Sequence, residues 1–449
     1  MVIDASPPAS QYLKKGKAFQ MRNPIDDQRP QVVLPPRYLE EVMRAPQDRL
    51  SFPLFSEQAF CLNYSGGPQQ TDATAHIVRV DLTRNLGDLL DGIHAECIAA
   101  FQDKMVECND WTAVRPYEIF AYVVARITAR VMVGPELCRN EEWLGLSIGT
   151  TFATIGAAMT IREKYSPRWR WLAPWFHPAS KAVLANRKRA TALIGPLYEK
   201  HLRGDTRKPG DGTQWLLNVK KSGTAKTKTV EEITDEHLFL SIASIHTTAA
   251  SVTQIFYDLI DHPEYHDDLL SEIEQTRTKH NGKWTKQSVG ELRKLDSFMK
   301  ESQRVNPIGF VTIQRSAVRP YTFKDGLHLP AGTQLSMLSY ELAHDPELYP
   351  EPEKFDAYRF LRMREQIDPN RFHFASVSQD SIYFGAGNHA CPGRFFASHE
   401  MKLMLVELLL GYEMKFREGE GRPPNMVHDF ANTPNLAAEI MFKARKAAA

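Results

Sequence analysis

Toward its C-terminal end the chain reads Phe384-Gly385-Ala386-Gly387-Asn388-His389-Ala390-Cys391-Pro392-Gly393-Arg394-Phe395-Phe396-Ala397, and no other stretch restricts the fold as much. Two glycines ahead of the cysteine permit a tight turn and a close approach to something flat. Pro392 suits the first position of a helix, which the apolar run after Arg394 continues. Cys391 is thus expected to cap a helix, where the dipole and free backbone N–H groups favour thiolate over thiol. A sulfur so placed is a nucleophile, a metal ligand or inert. Zinc needs further Cys or His ligands at short spacing, and only His389 is near. A nucleophile needs a base, which the sequence does not place.

The remaining reading is a single axial thiolate on an iron porphyrin, a ligand that favours O–O cleavage. Phe384, Gly387, Cys391 and Gly393 match the signature Phe-x-x-Gly-x-Arg-x-Cys-x-Gly, so the stretch resembles the haem-binding loop of the cytochromes P-450, with His389 where Arg is usual. The resemblance implies that Cys391 ligates the iron and that Phe384, His389 and Gly393 border the haem.

Composition removes several other classes. In 449 residues, 43% hydrophobic and 24% charged with a net charge of +1, there is no bulk attraction to nucleic acid. Five cysteines without a CxxC pair argue against a disulfide framework and for a reducing compartment. No stretch reaches roughly 18 uninterrupted apolar residues, so no spanning segment is expected in the chain as given.

The chain in order supplies further motifs. Residues 1–30 are polar and proline-containing; Val32-Val33-Leu34 reads as a strand, Tyr38 to Met43 as a helix and residues 51–75 as an aromatic-rich loop. His76, Arg79 and Leu82 lead into helices. Trp111 and Arg115 stand at i and i+4, on one face of an expected helix. Indole N–H and guanidinium only donate, which suits a carboxylate ligand, and the family's Trp-x-x-x-Arg holds a haem propionate. The apolar stretch from Leu144 leads to Trp169, Trp171, Trp175 and Phe176; by resemblance it roofs the active site, with Phe152 in the pocket and the aromatic cluster near lipid. Gly210-Asp211-Gly212 and Ser222-Gly223-Thr224 mark loops.

A long helix is predicted from Thr234-Asp235-Glu236 to about Asp261, before Pro263. Ala243, Thr247 and Thr248 match the family's segment over the haem, whereas Ser244 and His246 depart from it. Breaking dioxygen requires two protons, so Thr247 is the expected catalytic hydroxyl and His246 a candidate proton shuttle in place of the usual carboxylate. Glu301 and Arg304, at i and i+3, together with Arg359 resemble the family's structural Glu-Arg-Arg network. Arg315 falls where many members hold the second propionate. Ser244, Ile245, Ile308, Phe310, Val311, Asn432 and Thr433 are the remaining pocket candidates by resemblance, and Asp325-Gly326 and Pro330-Ala331-Gly332 turn two short strands.

The resemblance covers about residue 30 to the end. It implies a mainly α chain with small β-sheets, the single-domain P-450 fold, with haem b between the long central helix and the cysteine-bearing helix. Residues 31–449 form the haem-thiolate catalytic domain, and 1–30 a segment that follows a missing membrane anchor. The implied activity is monooxygenation of a bulky hydrophobic secondary metabolite of terpenoid or indole type. No flavin or nicotinamide fingerprint is present, so electrons are expected from NADPH through a separate reductase docking near Cys391 and Arg394. Fungal microsomal members are the most similar in motif, which places the native protein on the cytosolic face of the endoplasmic reticulum membrane. The alternative is a haem-thiolate enzyme doing non-insertion chemistry: radical coupling, ring rearrangement, desaturation or peroxide use. A non-catalytic haem or thiol sensor is disfavoured by Thr247.

Overall fold

Where apolar residues recur at helical spacing they bury one face of a helix, and helices dominate the fold. The computed structural model describes residues 15–23, 30–69, 71–205, 208–219, 227–428 and 430–445. Residues 1–14 and 24–29 of the expected N-terminal segment, and the Ser222-Gly223-Thr224 loop, lie outside them. Among the described residues eight helices reach thirteen residues or more: α1 Thr83–Lys104, α2 Pro116–Met132, α3 Glu141–Lys164, α4 Pro178–Leu202, α5 Val230–Asp261, α6 His266–Lys279, α7 Arg293–Val305 and α8 Arg394–Gly411. The chain divides into two units, residues 1–60, 297–391 and 424–434 in one, and 61–296, 392–423 and 435–449 in the other.

The second unit is helical. Almost every residue of α2 is buried, and the helix packs between α1 and α5. Its one buried arginine, Arg126, is matched by Glu96 of α1, with Nε donating to Oε1 at 2.5 Å, and by Asp103 at 2.6 Å. Helix α5 starts four residues earlier than the sequence suggested. Thr229 and Glu232 form a reciprocal capping box, a Thr-x-x-Glu signal that outranks the acids at 235 and 236. It ends at Asp261, as expected. Helices α3 and α5 are long and apolar enough to cross a membrane by length and composition, yet half or more of each apolar window is buried inside the protein. A three-stranded sheet completes this unit, in the order 112–114, 440–444, 412–415.

The first unit is built on a five-stranded sheet, in the order 19–21, 31–33, 334–338, 311–317, 50–51. Strands 31–33 and 334–338 run parallel and the other pairs antiparallel. Its apolar face packs on Tyr38, Leu39, Val42 and Phe323. The expected hairpin forms between Tyr321–Thr322 and His328–Leu329, with Gly326 at φ +92. Residues 51–60 are not loop: Ser51 accepts from the Leu54 N–H at 3.1 Å and caps a helix over Phe52–Ala59. Leu62–Ser65 and Asp72–Ile77 of the second unit are likewise short helices.

Candidate functional site

Cys391 ends a tight loop of the first unit. Its N–H donates to the Phe384 carbonyl at 2.7 Å, and Gly385 and Gly387 take left-handed φ values of +74 and +60. A Cβ would be strained at either φ and crowded as well, 3.1 Å from the His389 carbonyl oxygen or 3.2 Å from the Met43 side chain. Phe384 meets Phe374 edge to face at 5.4 Å, and His389 closes a short turn over Gly387–His389. Helix α8 begins at Arg394, with Gly393 at its cap and the Ala397 N–H on the Gly393 carbonyl. Pro392 and Gly393 form a turn, so Cys391 stands just outside the helix rather than at its cap. The Cys391 thiol is partly exposed, whereas Cys61, Cys97, Cys108 and Cys138 are buried.

A fully buried ion network occupies the same unit. Arg304 donates from Nε and Nη2 to the two oxygens of Glu301 at 2.9 and 2.8 Å, and Arg359 Nε reaches Glu301 at 3.2 Å. The spare guanidinium hydrogens go to carbonyls: Arg304 to Ala343 and Pro352, and Arg359 to Pro350 and Lys354. Burial opposes the Arg304 charge, but the Glu301 hydrogen bonds and charge raise its pKa above the ordinary value. The three residues named from sequence are therefore brought together. They tie α7 to the 350–359 segment and touch no open space.

Arg315 lies on strand 311–317, immediately after a register shift between Thr312 and Arg315 that leaves Ile313 at φ +56. A β-branched residue in that conformation is strained, and a bulge of this kind re-aims the next side chain. Arg315 is 3% exposed, and Nε has no partner among the described residues. Nη1 meets only the Gln314 carbonyl, at 2.7 Å. Burial pulls its pKa down to about 10. A buried cation without an acid calls for an anionic ligand, and a carboxylate of a porphyrin fits it.

In the second unit, α5 presents Ala243 and Thr247 on an exposed face with Ser244 half-buried. The Thr247 hydroxyl donates to the Ala243 carbonyl at 2.7 Å, and that of Ser244 to Leu240 at 2.7 Å. Ile245 faces the opposite way and is 1% exposed, so it packs in the interior rather than lining a pocket. His246 does not have the open position a shuttle needs. Its Nε2 bonds the Ile148 carbonyl at 2.8 Å, its Nδ1 the Tyr117 hydroxyl at 2.8 Å, and Phe152 meets the ring edge to face at 4.4 Å. Burial lowers its pKa, so the ring is neutral and joins α2, α3 and α5.

Trp111 and Arg115 depart most from expectation. Residues 112–114 are a strand, and Arg115 is extended at φ −92, ψ 97. The cause is Pro116, which pushes the residue before it out of the helical region and opens α2 itself. Trp111 carries the Lys415 ammonium 4.3 Å from its ring, and Arg115 pairs with Glu439 at 3.5 Å and Glu118 at 3.7 Å, with its side chain 54% exposed. Both are committed to the three-stranded sheet. A second basic pair, His76 and Arg79, stands at i and i+3 around Val78. A Cβ on Gly393 would lie 3.7 Å from Val78, so this turn packs against the residue two positions after Cys391. Thr71 and Thr74 donate to the buried carboxylate of Glu236 of α5, which Lys228 also meets at 2.9 Å, and so fix the helix that leads to the pair. The sequence signal was a basic pair at i and i+3 before a long helix, weaker to the eye than Trp-x-x-x-Arg.

The other pocket candidates belong to the first unit. Ile308 and Phe310 are half-buried; the Phe310 N–H donates to Phe430 at 2.8 Å, and the ring meets Tyr340 at 5.4 Å. Val311 opens the strand and is buried. Asn432 is 3% exposed and donates to the Pro307 carbonyl at 2.7 Å, while the Thr433 hydroxyl donates to Met426 at 3.0 Å. Asn432 is thereby spent on holding its strand rather than lining open space, whereas Thr433 stays partly exposed.

A family model for cytochrome P-450 matches residues 78–439. The chain is 48% identical over 439 residues to the cytochrome P-450 monooxygenase cheE of Chaetomium globosum, covering 96% of this chain and 85% of that protein. It is 49% identical over 439 residues to the monooxygenase ccsG of Aspergillus clavatus, covering 97% and 87%. It is 43% identical over 441 residues to the pyrichalasin C-7 hydroxylase of Pyricularia grisea, covering 96% and 86%. Among solved structures, a retinoic-acid-bound cyanobacterial cytochrome shares the fold at TM-score 0.73 and 17% identity, covering 99% of this chain and 95% of that one.

Proposed function

The chain belongs to the cytochrome P-450 family and is a monooxygenase similar to those of fungal secondary metabolism, and from that premise we propose that it inserts one atom of dioxygen into a bulky apolar metabolite. Family membership brings a haem iron, which activates dioxygen when bound and reduced. The observation that carries the reading is the Cys391 turn, where two left-handed glycines and the bond to Phe384 hold a partly exposed thiol ahead of a helix.

Within this proposal Cys391 would hold the iron through its thiolate, with Phe384 in the same loop accepting from its N–H. Arg315 and His389 of the first unit would hold a carboxylate of the porphyrin; for Trp111 and Arg115, His76 and Arg79 of the second unit are the alternative basic pair. Thr247 keeps its own proton on the Ala243 carbonyl, so its oxygen remains an acceptor that orients a water, and that water supplies the proton. His246 stays neutral and positions α3 and α5; it does not shuttle. Electrons come from NADPH through a separate reductase.

The half-buried Ile308 and Phe310 of the first unit suit a bulky apolar substrate. The relative named a pyrichalasin C-7 hydroxylase adds pyrichalasin-like compounds to the terpenoid and indole classes, and hydroxylation to the candidate reactions. Attachment to the endoplasmic reticulum membrane is supported by Trp169, Trp171, Trp175 and Phe176, each more than half exposed between α3 and α4 and interleaved with Arg168 and Arg170.

The test is turnover of pyrichalasin-type, terpenoid and indole compounds by the purified chain with NADPH, a P-450 reductase and isotopically labelled dioxygen. One labelled atom in the product supports the proposal. Consumption of substrate without label favours the non-insertion chemistries.

A further inference from the structure

Helix α3 carries Ser147, Thr151 and Thr154 on one buried stripe, spanning about 10 Å of helix. All three hydroxyls lack a protein partner among the described residues. This is unusual within the same helix, because Thr150 and Thr160 satisfy themselves on the carbonyls of Leu146 and Gly156, at 2.6 and 2.8 Å. Two further orphaned groups begin α4, which packs along α3. Ser180 is fully buried with its hydroxyl unpaired, and His177, 3% exposed, has neither ring nitrogen bonded.

One group from each helix, Thr154 and Ser180, meets the turn after the short helix Leu62–Ser65. A Cβ on Gly67 would come 2.6 Å from the Thr154 methyl, and one on Gly66 2.9 Å from Leu184 and 3.3 Å from the Ser180 carbonyl. The turn is itself pinned, by Arg187 donating to the Gly66 carbonyl at 3.0 Å and the Gly67 N–H donating to Ser65 Oγ at 3.2 Å. Two glycines are thus required here because helices close on the turn from both sides.

Five buried groups left dry would together cost a large share of the small net stability of a folded chain. An imidazole presents one donor and one acceptor, and a hydroxyl presents both, so the complement must donate and accept in a narrow space. No charge is offered: burial, with Lys164 nearby, lowers the His177 pKa, and the ring is neutral near pH 7. We propose that Ser147, Thr151, Thr154, His177 and Ser180 bind a line of internal water molecules between α3, α4 and the Gly66-Gly67 turn. Water meets each requirement, and such sites are a regular part of protein interiors. The two helices are then joined through exchangeable bonds rather than interlocked apolar side chains.

The experiment compares thermal denaturation of the haem-loaded full chain with that of Thr151→Val/Thr154→Val and Ser180→Ala. Valine keeps the volume of threonine, so only the hydroxyl is removed. With water bound, the double variant and Ser180→Ala each denature a few degrees lower. A midpoint unchanged or raised in both means a dry seam, since removing an orphaned hydroxyl relieves it, and overturns the proposal. If the double variant fails to load haem, a crystal structure of the unaltered protein decides. Ordered water on Thr151 Oγ1, Thr154 Oγ1 and Ser180 Oγ upholds the line, and an apolar gap there refutes it.

Discussion

Arg304 clasps both carboxylate oxygens of Glu301, at 2.8 and 2.9 Å, with neither side chain exposed to solvent at all. A buried pair of this sort is poor evidence of net stabilisation, because each charge is expensive to bury. Breaking it is another matter. Glu301→Ala leaves Arg304 and Arg359 facing each other without their acid, and is expected to cost about 3–5 kcal/mol, a large part of a typical net stability. Denaturant titration of the haem-loaded protein checks this; a loss under about 1 kcal/mol would show that the carbonyls of Pro350, Pro352 and Lys354 suffice alone.

Arg315 makes the opposite kind of prediction for the protein without haem. Its guanidinium is buried with Nε unpaired, so Arg315→Met should stabilise the haem-free chain by about 1–3 kcal/mol while weakening haem retention. Apo stability and the rate of haem transfer to an acceptor protein read the two effects separately. Unchanged haem transfer would remove Arg315 from the cofactor site.

Thr247→Ala should leave the helix intact, because the hydroxyl bonds only to carbonyls of its own helix, Ala243 and Ser244. NADPH consumption with reductase is expected to continue while hydrogen peroxide replaces product. Undiminished coupling of NADPH to product would take Thr247 out of proton delivery.

Acid should destabilise the fold through buried histidines. Burial holds His237 at about 4, against about 6.5 in an unfolded chain. Below pH 6.5 the unfolded chain takes up a proton that the folded one refuses, so stability is full above that pH and falls progressively toward pH 4, by up to about 3 kcal/mol for this group. His237→Gln should flatten that part of the pH–stability curve. His399 is likewise held at about 4 by burial, and His177, His246 and His344 are also lowered by it, so all four leave a residual slope in the variant. An equally steep curve in the variant would refute the assignment to His237.

The motifs that survive from the sequence are those whose geometry is local. Glu301 and Arg304 are one helical turn apart, and the Cys391 loop is fixed by its own glycines and its bond to Phe384, so both could be read along the chain. Trp111 and Arg115 failed because an i, i+4 spacing was read as helical when Pro116 forbids that conformation at Arg115. The pair proposed instead, His76 and Arg79, is suggested by Val78 meeting Gly393 more than three hundred residues away, which no spacing rule reveals. Ile245 and Asn432 were misplaced for related reasons. A two-residue step on α5 turns Ile245 to the interior, and Asn432 spends its amide on Pro307. Nothing local marks the bulge that aims Arg315, since it arises from pairing with strand 334–338.

The most direct measurement is the absorption spectrum of the reduced, carbon-monoxide-bound protein, taken for the unaltered chain and for Cys391→Ser. The expected result is a strongly red-shifted Soret band, diagnostic of thiolate ligation, in the first and its loss in the second. A haem-loaded sample without that band, or a band that survives the substitution, would contradict Cys391 as the iron ligand.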